Sequence, residues 1–488
     1  MTMERNLKDF SIDDFVVFSR KFEKSDFNIF SKLSGDNNPL HHDLGYARES
    51  QFSEPIIPVW LLSSPISMVA GTMLPGHRAL ILSNEMRAIS PGFYGRDLHY
   101  SSKVVDIHPA NRVLSIRTLA LHDDAVLLDS LTKVQVRDDV PRGIYHDGDL
   151  IKKNSHVHSS VLVSGASGAI GHAIALKLAE KGLSLVLTGR DEAKLKTLSE
   201  QCKAFGIACS FFAIDLLSVD DVSKLKSTLV DHPDIGAFIH AASSGIDASL
   251  DDLMSVNYVA FKEICQQMVP GFLRRQKGCV IFIGSSATMT QPLGWENYTV
   301  SKVSGASFID ALNLRYGEYG LKGFNLAPGF VDTSFSRSFR PRKGINLMPE
   351  EVAEATVELL NIRDRKSGTL WLTPEGKYWV GPQSSKEFNL AKPDILKKEQ
   401  NDAELGDRDI GKKLDTLRDL FIRFFKLTDS VNLDNAALGS TPGWDSLRHI
   451  EFLLFLEGEL SVNFESAEIE KTTHLSDLEK LLVSKLQG

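Results

Sequence analysis

Five short apolar runs punctuate the middle of the chain: VLVSG from Val161, LSLVLTG from Leu183, GAFIHAA from Gly236, GCVIFIG from Gly278 and GFNLAPG from Gly323. Runs this short, rich in Val, Ile and Phe and free of charge, fit strands buried on both faces. Between them lie stretches with helical apolar spacing, as in AIGHAIALKLAEKG, where Ile170, Ile174 and Leu178 share one face. Strand and helix in alternation predict a doubly wound parallel sheet. From about residue 412 the pattern changes: LRDLFIRFF and LRHIEFLLFLEGEL keep helical spacing without any strand pattern, which predicts a small helical bundle. Two polar stretches, 137–160 and 384–409, interrupt the patterning and read as linkers. The chain therefore divides into a first domain over 1–140, a second over 158–383, a linker over 384–410 and a last domain over 411–488. A length of 488 residues agrees, since one core rarely serves more than about 250–300 residues.

Composition adds mainly exclusions. Hydrophobic residues at 42% and charged residues at 24% are ordinary globular values, so disorder on the scale of a domain is not expected. A net charge of -8 argues against a nucleic-acid binder. The amino terminus, MTMERNLKDF, is charged where a signal peptide needs an apolar core, and no uncharged run of about 18 apolar residues could span a bilayer. A cytoplasmic location is the expectation. Cys202, Cys209, Cys265 and Cys279 lack CxxC spacing, so buried reduced thiols are expected, with no disulfide framework and no metal site.

Candidate chemistry concentrates in the middle domain. In VLVSGASGAIGHAIALKLAEKG, Gly165, Gly168 and Gly171 lie between a strand and a helix, where small residues let backbone approach a pyrophosphate. The second strand ends at Arg190, where an arginine suits the 2'-phosphate of NADP; the adjacent Asp191 keeps NAD as the second choice. Tyr298 and Lys302, four apart, would share a helix face. An ammonium beside a phenol of pKa about 10 favours phenolate, making the tyrosine a better proton exchanger near neutrality. Ser285, upstream at a strand end, could hydrogen-bond a substrate carbonyl oxygen.

These residues resemble the short-chain dehydrogenases/reductases of the 3-oxoacyl-reductase-like type, over roughly 158–382. The resemblance rests on SGASGAIG, Asp215, HAAS at 240–243, Asn257, Ser285, YTVSK and APGFVDT. It implies a Rossmann-type fold in which Asn257, Ser285, Tyr298 and Lys302 are catalytic. By the same resemblance Gly165, Ser167, Gly168, Ile170, Gly171, Arg190, Asp215, Ala241, Tyr298, Lys302, Pro328, Gly329, Val331 and Thr333 bind the cofactor. Asn257 would hold a water in a proton relay to Lys302, and Lys302 would also bond the nicotinamide ribose. Two departures touch cofactor packing: the family's NNAG is HAAS, and the second glycine of TGxxxGxG is Ala169.

In the first domain, FSKLSGDNNPLHHDLGYARESQFSEPIIPVW places Asp36 and His41 across a proline-bearing turn. A carboxylate and an imidazole there could converge on one water, as hydration or dehydration of an activated double bond requires. The stretch resembles the MaoC-like, R-specific enoyl-thioester hydratases, whose FxxLSGDxNPxHxD pattern is matched from Phe30 to Asp43. That resemblance implies an α+β hot-dog fold with Asp36 and His41 as the acid/base pair. Val59 stands where the family has a glycine whose N–H meets the thioester oxygen, and its branched side chain would obstruct that approach. An inactive hot-dog domain kept for dimerisation or acyl-chain binding is the alternative.

In the last domain, LGSTPGWDSLRHIEFLLFLEGEL puts Ser446 beside a predicted helix start, where an N-cap or a phosphodiester is equally at home. Asp445, Ser446 and Leu447 match the DSL motif, and the acidic helical segment resembles an acyl carrier protein. The resemblance implies a four-helix bundle with 4'-phosphopantetheine on Ser446. Together the three resemblances imply a multidomain NADPH-dependent 3-oxoacyl-thioester reductase with a hydratase or dehydratase domain and a tethered carrier, as in fatty-acid or polyketide biosynthesis. Implied partners are a phosphopantetheinyl transferase, a ketoacyl synthase or acyltransferase, and further copies of the chain. Two rivals stand beside it: a CoA-level, NAD-linked β-oxidation protein, and a scaffold whose carrier serves a partner enzyme.

Overall fold

The computed structural model describes residues 6–137, 160–232, 234–336, 346–362, 367–374 and 376–380 and, toward the carboxyl end, 417–418, 420–422, 425, 436–437, 441, 452 and 474–487. The chain forms two compact units, 1–382 and 383–488. The predicted linkers and Ser446 lie outside the described residues.

The first unit opens with a five-stranded antiparallel sheet. Its strands are β1 (Phe15–Lys21), β2 (Ala79–Ala88), β3 (Asp97–His108), β4 (Val113–His122) and β5 (Ala125–Val136), in the order β1-β3-β4-β5-β2. Four helices precede β2: α1 (Lys24–Ser34), α2 (Leu44–Glu49), α3 (Val59–Ser63) and α4 (Pro65–Met68). α3, α4 and a π turn over Val69–Met73 make one interrupted helical run whose Leu61, Leu62, Ile66, Val69 and Ala70 are buried. A helical run packed in a curved sheet is the hot-dog arrangement. Phe22, Phe27, Leu98 and Tyr100 fill the core around it.

The second sheet has eight strands: β6 (Ser160–Ser164), β7 (Ser184–Gly189), β8 (Cys209–Ala213), β9 (Ile235–His240), β10 (Gly278–Ile283), β11 (Leu321–Pro328), β12 (Ser367–Thr373) and β13 (Gly376–Val380). Their order is β13-β12-β11-β10-β9-β6-β7-β8, parallel throughout except for the β12–β13 pair. Crossover helices cover both faces: α5 (Ala169–Glu180), α6 (Glu192–Lys203), α7 (Val219–Val230), α8 (Leu250–Met254), α9 (Phe261–Arg275), α10 (Ala287–Thr290), α11 (Glu296–Tyr316) and α12 (Pro349–Asn361). Strand order reverses between β6 and β9, and a doubly wound sheet opens its ligand crevice at that switch point. The five predicted strands are five of these eight. The four cysteines are buried and unpaired, as expected.

The two sheets of this unit are joined by polar as well as apolar contacts. Leu119, Leu121 and Val126 of the first sheet enter the core formed by α9 and α11. Beside them the buried Gln276, held at φ 46° after α9, donates from Nε2 to the Ser101 and Arg117 carbonyls at 2.9 and 3.1 Å. Lys103 Nζ in turn donates to Gln276 O at 3.0 Å and pairs with Asp13 at 3.1 Å.

In the second unit Phe421, Phe425 and Phe452 form a ring cluster with centroids 4.7–5.3 Å apart. A last helix, α13 (Leu475–Gln487), is tied to Arg418 through Glu479, Nε to Oε1 2.6 Å. No described helix is long and apolar enough to cross a membrane.

Candidate active sites

A cavity of about 1030 Å³ lies at the switch point of the parallel sheet. Every residue that the sequence assigns to cofactor binding lines it, and so does Ser285. The glycine loop explains why the backbone can form such a cradle. Gly165 has φ +75°, and a Cβ there would sit 2.5 Å from Ala242 N. A Cβ on Gly171 would sit 2.2 Å from Gly165 O, so the first turn of α5 closes on the loop only through glycine. Ala169 is the first residue of α5 and exposed, which is why a methyl is tolerated where the family has glycine. These residues fit a pyrophosphate at a helix amino terminus.

Where β7 runs into α6, Arg190, Asp191 and Lys194 line the cavity. Asp191 is committed locally: its carboxylate caps α6 by accepting from Lys194 N at 3.0 Å and pairs with Lys194 Nζ at 3.3 Å. These bonds lower its pKa, the backbone bond most. Lys194 was not singled out from sequence; its signal is its place one helical turn after the Asp191 cap.

Ser285 follows β10, while Tyr298 and Lys302 stand one turn apart on α11, and all three reach the cavity. Tyr298 is buried between Trp295, edge-on at 5.9 Å, and Phe335 at 6.4 Å. Trp295 and Phe335 belong to the site although sequence alone gave no sign of them. Lys302 Nζ donates to Ile283 O at 3.0 Å. Asn257 lies behind the cavity wall in a π turn over Ser255–Ala260; its Nδ2 donates to Ser301 Oγ at 2.9 Å, and its buried Oδ1 accepts no bond from described protein atoms. An unfilled acceptor there suits a water.

The electrostatics correct one expectation. Burial pushes the Tyr298 phenol up to about 12, opposed by a hydrogen bond from Ser285, rather than the ammonium drawing it down. Burial also brings Lys302 down to about 7. Desolvation outweighs the phenol–ammonium attraction because both groups are taken from water together. A phenol so raised is protonated at neutral pH, the form a proton donor needs.

His240 and Ala241 occupy the positions of the family's two asparagines. His240 Nδ1 lies 2.8 Å from Ser164 Oγ, tying β9 to β6 where the glycine loop begins.

The second constellation is in the first sheet's domain. α1 ends at Gly35, φ +77°, and the chain turns into Asp36. Asn38 caps the following 3-10 turn, Pro39–His41, by accepting from Leu40 N at 3.0 Å. His41 Nδ1 is 2.8 Å from Ile56 O, and since a carbonyl only accepts, Nδ1 is the donor. Nε2 lies 3.8 Å from Asp36 Oδ2. Val59 is the first residue of α3, and its side chain is partly buried against the first domain's core. Asp43 caps α2 through Tyr46 N at 2.8 Å. Among the described residues no group of His, Cys, Asp and Glu is arranged to hold a metal.

Comparison with known proteins assigns both regions. Residues 159–344 match the family model of the short chain dehydrogenases, and residues 11–124 match that of the MaoC like domain. The 3-oxoacyl-[acyl-carrier-protein] reductase FabG of Chlamydia trachomatis serovar D is 27% identical over 226 residues, covering 42% of this chain and 90% of that protein. Its namesake from Buchnera aphidicola subsp. Acyrthosiphon pisum is 25% identical over 219 residues, 41% of this chain and 88% of that one. Among solved structures, a 3-oxoacyl (acyl-carrier-protein) reductase from Agrobacterium tumefaciens C58 with NADP bound aligns at 23% identity and a TM-score of 0.41, over 44% of this chain and 95% of its own.

Proposed function

We propose that this chain, an oxidoreductase whose central domain is a short-chain dehydrogenase and whose first domain is MaoC-like, reduces a carrier-bound 3-oxoacyl thioester to its 3-hydroxyacyl form with NADPH. The observation that carries the reading is the convergence of Ser285, Tyr298 and Lys302 on the cavity that the glycine loop also lines. Relatives named as 3-oxoacyl-[acyl-carrier-protein] reductases support the substrate class. Arg190 and Lys194, two cations at the adenosine end, support a 2'-phosphate and hence NADP over NAD.

NADPH, when bound, supplies the hydride. The Ser285 hydroxyl holds the ketone oxygen by a hydrogen bond, and the Tyr298 hydroxyl gives that oxygen its proton. Lys302 stabilises the phenolate left behind, and Asn257 Oδ1 accepts from the water that returns a proton to the pair. Asp36 and His41 then remove water from the 3-hydroxyacyl group, or add it to an enoyl thioester in reverse.

Ser446, carrying 4'-phosphopantetheine added by a transferase, delivers the thioester to both sites at high local concentration and exchanges it with a synthase or acyltransferase. Two copies of the chain pair through the first domain. This is supported by β2, an edge strand with Leu80, Ile81 and Leu82 all exposed.

The test follows NADPH consumption by the full chain with 3-oxoacyl thioesters of several lengths, beside an intact-mass measurement after co-expression with a phosphopantetheinyl transferase. Turnover with NADPH well above that with NADH, and a mass gain abolished by Ser446→Ala, are expected. Activity confined to NAD and 3-hydroxyacyl-CoA, with no mass gain, would instead favour a β-oxidation role.

A further inference from the structure

Lys302 is 3% exposed and carries its ammonium among groups that offer it little. An ammonium has three protons to donate. Ile283 O takes one, and among the described residues no carboxylate is paired with it. What faces it instead is aromatic: Nζ lies 5.0 Å from the Phe282 ring centroid and 5.8 Å from that of Tyr298. Those distances are within the roughly 6 Å over which a ring face attracts a cation, and desolvation strengthens the attraction.

The place of Phe282 is built into the fold. A Cβ on Gly305, three residues beyond Lys302 on α11, would come within 2.2 Å of Phe282 Cζ, so the glycine leaves the slot that the ring occupies. His240 stacks on Phe282 with centroids 5.8 Å apart and planes at 6°, and Phe261 lies 5.1 Å from the same ring. The Ser164 bond fixes the imidazole from the other end. His240, on β9, is the titratable group besides Tyr298 that faces this cluster. Burial first, and Lys302 second, depress its pKa to about 3, so it adds no second positive charge.

We propose that Phe282 is a positioning residue for the proton-transfer site, its ring face holding the Lys302 side chain as a cation beneath Tyr298, with His240 stacked on the ring to keep it in place. This rests on the reading of Tyr298 and Lys302 as the proton-transfer pair. A ring at Phe282 thus replaces the carboxylate that would otherwise keep the buried ammonium charged, and it does so without neutralising the charge that phenolate needs.

The test replaces Phe282 in the full chain by a ring-difluorinated phenylalanine, which keeps the shape and weakens the negative ring face, and separately makes Phe282→Leu. Two readouts are taken: the pH dependence of kcat/KM, and the pH dependence of Lys302 reductive methylation followed by peptide mass spectrometry, which needs no turnover. Because Lys302 must be protonated to act, activity falls as pH rises through its pKa, near 7 in the native protein. Loss of the ring's attraction shifts that alkaline limb, and the methylation profile with it, down by roughly half to one pH unit in Phe282→Leu, with a smaller shift in the fluorinated protein. Unchanged methylation profiles in both variants overturn the proposal, as does a shift in Phe282→Leu alone, which would report packing. If the native chain shows no reduction, the reading of the pair fails on its own, and the methylation profile still decides the role of the ring.

Discussion

Exchange of Tyr298 for phenylalanine is expected to lower kcat/KM for 3-oxoacyl reduction by about 10²–10⁴-fold, or roughly 3–5 kcal/mol of transition-state stabilisation. The substitution removes one oxygen and leaves the ring, which packs with Ile246, Leu253 and Ala287 and between Trp295 and Phe335. Stability should therefore change little, and NADPH affinity less than about twofold, because Lys302 and the glycine loop are untouched. The phenol's pKa of about 12 sharpens the expectation: a donor that stays protonated across neutral pH carries the proton the ketone oxygen needs in the reductive direction. Ser285 can hold that oxygen but has no means of bearing the resulting negative charge. Steady-state kinetics with NADPH titration by fluorescence separates the two effects; turnover undiminished in Tyr298→Phe would remove the mechanism.

How far the sequence discloses this arrangement depends on how each residue earns its place. The apolar runs at Val161, Leu183, Gly236, Gly278 and Gly323 are legible because central parallel strands are buried on both faces and admit no polar residue. β8 escapes because it is an edge strand with one buried position, Cys209, and β12 and β13 because they end the sheet as a hairpin. In the first domain most strands are long, but register shifts at Ile81/Ser83, Val104/Asp106 and Ala120/Leu121 interrupt three of the four strand pairs. A period of two cannot be read across such a shift. The glycine loop, Ser285, Tyr298 and Lys302 stand out because their spacing is set by local geometry. Phe282 and His240 do not, since their relation to Lys302 is made across three elements. The same holds for Gln276, which looks like a polar helix end and is in fact buried against Ser101 and Arg117. The direction of the Val59 side chain is likewise set by tertiary packing against the first domain's core, which residue type alone does not disclose.

That direction bears on the second large effect. His41→Ala is expected to lower interconversion of enoyl and 3-hydroxyacyl thioesters by about 10²-fold or more while leaving NADPH-dependent reduction within error of the native chain. Ile56 O orients the His41 ring through Nδ1, and Nε2 lies 3.8 Å from Asp36 Oδ2. That separation exceeds a hydrogen bond, so both groups remain open to a water between them. Asp36 is itself fixed, its Oδ1 taking Asn38 N at 3.1 Å. The N–H of Val59, in the first turn of α3, has no intrahelical acceptor, and the valine side chain is partly buried against the first domain's core. The reductase assay on the same preparation controls for folding, because Leu119, Leu121 and Val126 join the two sheets' cores and a collapsed first domain would disturb both activities. Equal interconversion rates for the native chain and His41→Ala would make the MaoC-like domain a pairing scaffold.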